Sequence, residues 1–166
     1  MPLSPRFALI ILLWIGLWMG GFGIPVLAQE GRVNLSNIDL HGQDLSAGHY
    51  PEGNFVSANL QDALLTASDL RGATLTKANL THTDLTGVDL SNAMMDLVIL
   101  NHAILTGANV SGAILSRANW YETEITNADF TDAILDRAAI RYLCQTARGR
   151  HPLTGVDTRQ SLGCPS

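Results

Sequence analysis

The chain has 166 residues, enough for one domain, and carries 15 acidic against 10 basic side chains, a formal net charge of −5. The balance is uneven, because residues 31–140 contain 13 acidic and five basic side chains, whereas residues 141–166 contain four arginines and one aspartate. An acidic surface repels phosphate groups, which argues against a nucleic-acid partner.

Residues 1–28 differ in composition from the rest of the chain. Arg6 is their only charged residue, the stretch from Phe7 to Met19 is apolar, and Val26-Leu27-Ala28 resembles a small-residue cleavage site. This pattern is typical of a secretory signal peptide that is cleaved after Ala28, with no stable membrane insertion afterwards. An uncleaved membrane anchor is the alternative, since apolar residues continue to Ile24.

A five-residue repeat fills most of the remaining sequence. Every fifth residue from Leu35 to Ile140 is large and apolar, at 22 positions, and the residue two before it is Ala at 12 of them. Neither an α-helix nor a flat strand returns such positions to one face. The spacing instead predicts a chain that turns a corner after each repeat. Four such sides would close a coil of about 20 residues, with successive coils about 4.8 Å apart.

The other repeat positions agree with corners, because Asp or Asn often precedes the central residue, Ser or Thr often follows it, and Gly recurs two residues after it. Segments such as Ala78-Asn79-Leu80-Thr81-His82 and Ala58-Asn59-Leu60-Gln61-Asp62 match the A-(D/N)-L-x-x motif. The chain therefore resembles pentapeptide repeat proteins. This resemblance implies an all-β solenoid over residues 29–140, a right-handed quadrilateral β-helix of about 5.5 coils.

Residues one coil apart become vertical neighbours, so the repeat predicts columns of side chains. One column carries Met94, Ile114 and Ile134 where the motif expects Asp or Asn, and we expect Ile99 and Ile104 to extend it around the corner. Contiguous exposed apolar surface often marks a partner site. The alternatives are that a C-terminal helix covers the column or that isolated apolar residues have no role.

A second column consists of Asp62, His82, His102 and Glu122. Imidazole and carboxylate groups are suitable ligands for Zn²⁺, so these residues are weak candidates for a metal site. Histidine also titrates near neutral pH, which makes pH sensing a second hypothesis. The alternative is an ordinary polar surface exposed to solvent.

A third column consists of Asp69, Asp89, Asn109 and Asp129. Stacked carboxylates attract cations or a basic partner. Since some pentapeptide repeat proteins bind DNA gyrase, the resemblance raises mimicry of DNA as an alternative function. A solvated acidic face is the simpler interpretation.

The tail, residues 141–166, lies outside the repeat. Cys144 and Cys164 are the only cysteines, and in an exported protein such a pair predicts one disulfide. Helix-forming residues run from Ala133 to Arg148, Gly149 is expected to end that helix, and Asp157 is expected to cap a second one that runs through Leu162. The tail is therefore predicted to be a helical cap over the last coil.

The tail carries a second, narrower resemblance. Leu143-Cys144-Gln145 and Ser161-Leu162-Gly163-Cys164 resemble the C-terminal cap of pentapeptide repeat proteins from the thylakoid lumen of cyanobacteria and plastids. Those relatives also carry a signal peptide. The resemblance implies a protein of the thylakoid lumen or the periplasm.

Two places fit the repeat poorly. The segment from Gly48 to Gly53 has the right phase but unusual residues, so we expect it to bulge as a loop, and Trp120 is an oversized central residue one coil before Ile140.

Catalytic motifs are not evident, since the sequence has no Gly-x-Ser-x-Gly elbow and no phosphate-binding loop. We therefore expect a non-enzymatic scaffold without cofactor. It would be a monomer or weak dimer and would present its faces to an unknown protein partner.

Overall fold

The computed structural model describes residues 32–165. The predicted signal peptide, residues 1–28, lies outside the described residues.

The repeat forms a stack of four-sided coils. One residue in each repeat pairs in parallel with the residue 20 positions further on, and 17 such bridges run from Asn34↔Asn54 to Ile114↔Ile134. In the coil that begins at Met94, the outward residues of the successive sides are Met94, Ile99, Ile104 and Asn109. Residues ten positions apart therefore lie on opposite sides of the coil. Within residues 32–165, these contacts are isolated bridges instead of continuous strands, because a corner interrupts every side.

Hydrogen bonds between coils follow the same period. Leu80 N donates to Ile99 O at 2.8 Å, and Asn79 N donates to Ala58 O at 3.0 Å. Asp and Asn side chains also accept from the backbone N–H two residues on, as in Thr86 N to Asp84 Oδ1 at 2.9 Å. This local bond fixes the start of the corner, which explains why the motif favours Asp or Asn there.

Each corner contains a residue with positive φ. The 20 corner residues from Asn37 to Asp132 all have this left-handed conformation, and only five of them are glycine. The conformation turns the chain so that the next central residue points inward again. The glycine corners were predicted from the sequence, but the positive φ of every corner was not.

The core is a ladder of central residues and the small residues two before them. Leu65, Leu75 and Leu85 are fully buried, as are Ala63 and Ala73. Within residues 32–165, layers of Leu against Ala fill the coil without a helix or second sheet on either side.

The segment from Gly48 to Gly53 does not bulge, contrary to the expectation from its composition. His49 pairs with Asp69, and Tyr50 is 6% exposed. A Cβ atom on residue 48 would overlap the Tyr50 ring, and one on residue 53 would come within 2.8 Å of the Phe55 ring. Glycine thus replaces the usual Ala in order to admit an aromatic central residue.

Two short helices follow the coils. Helix α1 spans Arg137–Leu143 and helix α2 spans Thr158–Ser161. Ile140, the last predicted central residue, therefore lies in α1 and not on a side of the coil, and the predicted solenoid boundary at 140 falls inside this helix. Helix α1 also ends before Gly149, and Asp157 caps α2 by accepting from Arg159 N and Gln160 N.

The C-terminal segment, residues 136–165, packs under the last coil. Leu143, Ala147 and Leu162 join the core, and a Cys144–Cys164 disulfide links the two helices. Arg159 Nη1 donates to Cys144 O at 2.8 Å, which satisfies a carbonyl at the end of α1.

Candidate functional site

The apolar column, Met94, Ile114 and Ile134, forms a vertical line on one side of the coils, since Met94 pairs with Ile114 and Ile114 with Ile134. Met94 is 45% exposed and Ile134 is 55% exposed, while Ile114 between them is half-buried. Neither helix covers the two ends of the column. The column is therefore an outward apolar strip on three adjacent coils.

The two residues expected to extend this strip around the corner lie on two different sides of the coil. Ile99 is on the neighbouring side, where it pairs with Asn79 and Asn119. Ile104 pairs with Asp84 and Glu124 and lies half a coil from Met94, which places it on the opposite side. Because opposite sides face away from each other, Ile104 cannot share a flat contact surface with Met94. The expected extension stops at Ile99.

The histidine column, Asp62, His82, His102 and Glu122, assembles at one corner. His82 Nδ1 lies 3.6 Å from Asp62 Oδ1, and His102 Nδ1 lies 3.2 Å from Glu122 Oε2. The two imidazole rings meet edge to face with centroids 4.8 Å apart. Each histidine thus pairs with a different carboxylate, so the four side chains do not converge on one point.

A metal site needs several ligand atoms that converge on one point. Among residues 32–165, no group of three or more His, Cys, Asp or Glu side chains is arranged to bind a metal ion. The histidine side chains are also open to solvent, at 54% exposure for His82 and 40% for His102. The arrangement therefore has the character of a polar surface ladder.

The acidic column is largely neutralised by its own neighbours. Arg71 binds Asp69 through two contacts, Nε to Oδ1 at 2.8 Å and Nη2 to Oδ2 at 2.7 Å. The hydrogen bond from Arg71 holds the pKa of Asp69 below its usual value, although partial burial opposes this. Asn109 Nδ2 donates to Asp89 Oδ1 at 3.2 Å. The column does not present the row of free charges that imitation of a phosphate backbone requires.

Asp129, the last member of that column, is only 2% exposed. Its carboxylate accepts from Thr131 N, from Thr131 Oγ1 at 2.6 Å and from Thr154 Oγ1 at 2.6 Å. Burial alone would raise the pKa of Asp129, but the hydrogen bonds from Thr131 and Thr154 outweigh it and hold the pKa below its usual value. Asp129 thus connects the last coil to the C-terminal segment and is not a surface charge.

Two features of the C-terminal end were not predicted from the sequence. Leu153 is 91% exposed at the tip of a turn, although the turn around it makes many hydrogen bonds. An open apolar pocket of about 390 Å³ also lies between α1 and the last coil, lined by Ala118, Asn119, Trp120, Tyr121, Asp136, Ala138, Ala139 and Tyr142. The sequence signal for the exposed Leu153 was a lone Leu within a Pro-Leu-Thr-Gly turn. The pocket depends on how α1 packs against the last coil, and the sequence alone does not predict this packing.

Within residues 32–165, neither helix is long and apolar enough to cross a bilayer.

Comparison with known proteins places these features in a family. The family model described as pentapeptide repeats matches residues 54–92 and 103–138, with eight copies. A solved pentapeptide repeat protein from the Arabidopsis thaliana thylakoid lumen is 34% identical, with 82% of this chain and 91% of that chain covered and a TM-score of 0.42. No curated protein matches the chain at a significant level.

Two further solved structures are similar. HetL, a pentapeptide repeat protein involved in heterocyst differentiation regulation in the cyanobacterium Nostoc sp. strain PCC 7120, is 26% identical over 64% of this chain and 58% of its own, with a TM-score of 0.47. QnrB1, a plasmid-mediated fluoroquinolone resistance protein, is 18% identical over 69% of this chain and 70% of its own, with a TM-score of 0.38.

Proposed function

Since the chain belongs to the pentapeptide repeat family, whose fold is a right-handed quadrilateral β-helix, we propose that it is a non-enzymatic, exported scaffold that presents one side of its coils to a protein partner. The observation that carries the proposal is the apolar column, Met94, Ile114 and Ile134, at positions where the repeat otherwise favours polar residues. Apolar side chains at the centre of a contact, with polar residues around them, are the usual composition of protein interfaces.

The proposed scaffold is a rod of about five coils with a closed C-terminal end. The 20 corners correspond to five four-sided coils. The number of repeats in the sequence predicted about 5.5 coils. The C-terminal segment, residues 136–165, acts as the cap, because the N–H groups of the last coil need partners that a further coil would otherwise supply.

Export is supported by the disulfide, since disulfides persist in oxidising compartments. It is also supported by similarity to a protein of the thylakoid lumen. We therefore propose the thylakoid lumen or the periplasm as the location. Mass spectrometry of the protein from its native compartment should find a chain that begins after Ala28, and a chain that retains residues 1–28 would contradict cleavage.

The partner surface is tested by the substitution Ile114→Asp. We expect it to abolish the capture of specific proteins from the native compartment while the rod stays folded, because a charge in the middle of the column must be desolvated on binding. Asn119→Asp is the matched control, since Asn119 has the equivalent repeat position on the adjacent side. Equal capture by both variants would reject the apolar column as the contact surface, and loss of the circular dichroism signal would show that Ile114 is required for folding.

A further inference from the structure

His151 is a buried histidine whose two ring nitrogens have different roles. It is 3% exposed. Its Nδ1 accepts from Leu153 N at 3.3 Å and from Thr154 N at 3.0 Å, while its Nε2 lies 3.1 Å from Gly107 O. A backbone N–H only donates and a carbonyl only accepts, so these partners require the neutral ring with its proton on Nε2.

The ring closes a turn and attaches it to the coils. We call residues 151–155 the histidine turn. Nδ1 holds it in a similar way to the side chain of an Asx turn, which accepts from a backbone N–H two residues ahead. Thr154, whose N–H binds the ring, also donates through its Oγ1 to the Asp129 carboxylate at 2.6 Å. The contact between Thr154 and Asp129 therefore depends on the unprotonated state of Nδ1.

A second proton on the ring reverses the role of Nδ1. A protonated imidazole is a donor at both nitrogens. Nδ1–H then faces the N–H groups of Leu153 and Thr154, so both of these hydrogen bonds are lost. The bond from Nε2 to Gly107 O persists, because Nε2 remains a donor. Protonation thus disrupts the inside of the turn and leaves the ring attached to the coil.

A buried carboxylate stands ready to neutralise the protonated ring. Asp129 faces His151 from the last coil and is 2% exposed. Burial raises the pKa of Asp129, but hydrogen bonds from Thr131 and Thr154 and then the charge of His151 lower it, so that it lies below its usual value. The two side chains are therefore close enough to interact. A carboxylate in this place supplies the counter-charge that a buried imidazolium needs.

The elements around the ring carry four other charged residues. Arg148 and Arg150 are exposed and oppose a further positive charge, but water screens them. Asp157 caps α2 by accepting from two backbone N–H groups, and the exposed Glu124 accepts from a threonine hydroxyl at 3.1 Å. Asp129 is buried and therefore less screened than these groups, so we expect its charge to dominate.

The disulfide confines any opening to a short loop. Cys144 and Cys164 are linked at a sequence separation of 20, and His151 lies between them. Both ends of the loop therefore stay fixed when the turn opens. The antiparallel bridge Arg150↔Asp157 closes the base of the turn and uses no ring atom. The response is thus limited to the histidine turn and does not release the two helices.

We propose that His151 is an acid switch, in which a proton taken up by Nδ1 opens the histidine turn and Thr154 gives up Asp129 to the imidazolium. The closed turn is the form at high pH and is lost as the pH falls. An imidazole changes its charge between about pH 5 and 8, so the response belongs to that range. Because Leu153 lies in the turn, opening also changes the apolar surface at this end. The apolar column is not involved, so failure of the switch leaves the proposed scaffold function unaffected.

The test is an NMR titration of the purified protein from about pH 8 to pH 5. Ring nitrogen spectra follow the protonation of His151, and amide spectra follow the turn. We expect the amide signals of Leu153 and Thr154 to move with the same midpoint as the His151 ring. The hydrogen-exchange protection of the Thr154 amide should fall about tenfold, the effect of losing one such hydrogen bond. A ring that protonates while both amides stay unchanged would overturn the proposal, and so would a ring that stays neutral down to about pH 5.

His151→Asn separates the turn from the proton. An Asn side-chain oxygen accepts from the same two N–H groups and takes up no proton in this range, so the turn should stay closed throughout the titration. His102→Asn is the matched control, since His102 is an exposed histidine beside Glu122, and its loss should leave the response of the turn unchanged. If the turn of a folded His151→Asn variant still opened with acid, another group would be responsible and the switch would be rejected. If thermal unfolding showed that this variant does not fold, the wild-type titration would decide alone.

Discussion

The residue that varies most freely along this repeat sits at a left-handed corner. The corner positions carry Asp62, Lys77, His82, Leu97 and Glu122 as well as glycine, all with φ between about 50° and 66°. A non-glycine residue is disfavoured in this conformation by about 1 kcal/mol. The bonds between coils must therefore compensate for this cost at each of the 15 non-glycine corners. Corners thus carry many kinds of side chain, although none of the 15 is β-branched, and the histidine column is consistent with this surface variation.

The corner strain predicts that Ala67→Gly stabilises the protein. Ala67 is exposed, has a φ of 54° and donates its N–H to Thr86 O, a bond that glycine keeps. Relief of strain should exceed the added entropy of the unfolded chain and leave a net gain of about 0.5 kcal/mol in the free energy of unfolding. Ala63→Gly is the control, because Ala63 is fully buried in the core and should lose about 1 kcal/mol or more. Urea denaturation measures both, and a destabilised Ala67→Gly would contradict the assignment of strain.

At this scale the sequence predicted most of the core, because a strict period fixes which residue points inward. It failed at Gly48 and Gly53, where glycine followed by an aromatic residue resembled a loop. The two changes compensate each other, since the missing Cβ makes room for Tyr50 or Phe55. Such compensation between two positions is not visible in the average pattern of a repeat.

At the scale of elements, the C-terminal segment replaces the coil that would have come next. In the coils above, N–H groups donate to backbone carbonyls of the following coil. In the last coil, Arg117 N donates to Asp136 Oδ2, Glu122 N to Tyr142 Oη, Asn127 N to Arg148 O, and Phe130 N to Ser161 Oγ. Side chains and the backbone of the segment after α1 therefore satisfy the groups that the end of a solenoid leaves open.

The Phe130–Ser161 hydrogen bond predicts an effect of Ser161→Ala. Phe130 is 1% exposed, so loss of the hydroxyl leaves a buried N–H unpaired and should cost about 1–3 kcal/mol in the free energy of unfolding. Tyr142→Phe removes a comparable bond from Glu122 N, but Glu122 is exposed and water can replace the hydroxyl, so we expect less than about 0.5 kcal/mol. Thermal unfolding of the two variants checks the contrast, and equal losses would refute the role assigned to burial.

The lowered pKa of Asp129 makes the attachment of the C-terminal segment sensitive to acid. A carboxyl group whose pKa is depressed by folding contributes stability above its unfolded value of about 3.9, and this contribution is lost as pH falls through the folded value. Asp129→Asn should therefore lower stability by about 1–2 kcal/mol at neutral pH and flatten the decline below about pH 4. Asp132→Asn, at an exposed corner, is the control for charge. An unchanged acid profile in Asp129→Asn would contradict the assignment.

The sequence predicted the two helices, the Asp157 cap and the cysteine pair, because caps and cysteine counts are local signals. It did not predict the end of α1 at Leu143. The chain must leave the helix here so that Arg148 O and Arg150 N can pair with Asn127, whose Oδ1 accepts from Arg150 N at 3.0 Å. This tertiary requirement overrides helix-forming residues such as Ala147.

At the scale of the whole molecule, the repeat defines which residues share a side. A spacing of 20 residues keeps Met94, Ile114 and Ile134 in one column, whereas a spacing of ten separates Met94 from Ile104. The column was predicted from the spacing of 20 residues, whereas the expected extension to Ile104 neglected the spacing of ten. The sequence could not show how the turn at Leu153 is held, because this depends on the contacts of His151 with Gly107 and of Thr154 with Asp129.

A four-sided solenoid should tolerate the deletion of a whole coil but not of a similar length out of phase. Deletion of residues 74–93 joins Ala73 to Met94, which has the same repeat position as Thr74, so every downstream residue keeps its side and its column. Because each coil contacts only its neighbours, the shorter rod should unfold cooperatively with a moderately lower stability. Deletion of residues 74–91 removes two residues fewer yet places the corner residue Asn92 where an outward residue belongs, and all later Leu residues would leave the core. Circular dichroism and denaturant unfolding should show a folded first variant and an unfolded second, and a folded second variant would mean that the five-residue register does not determine the fold.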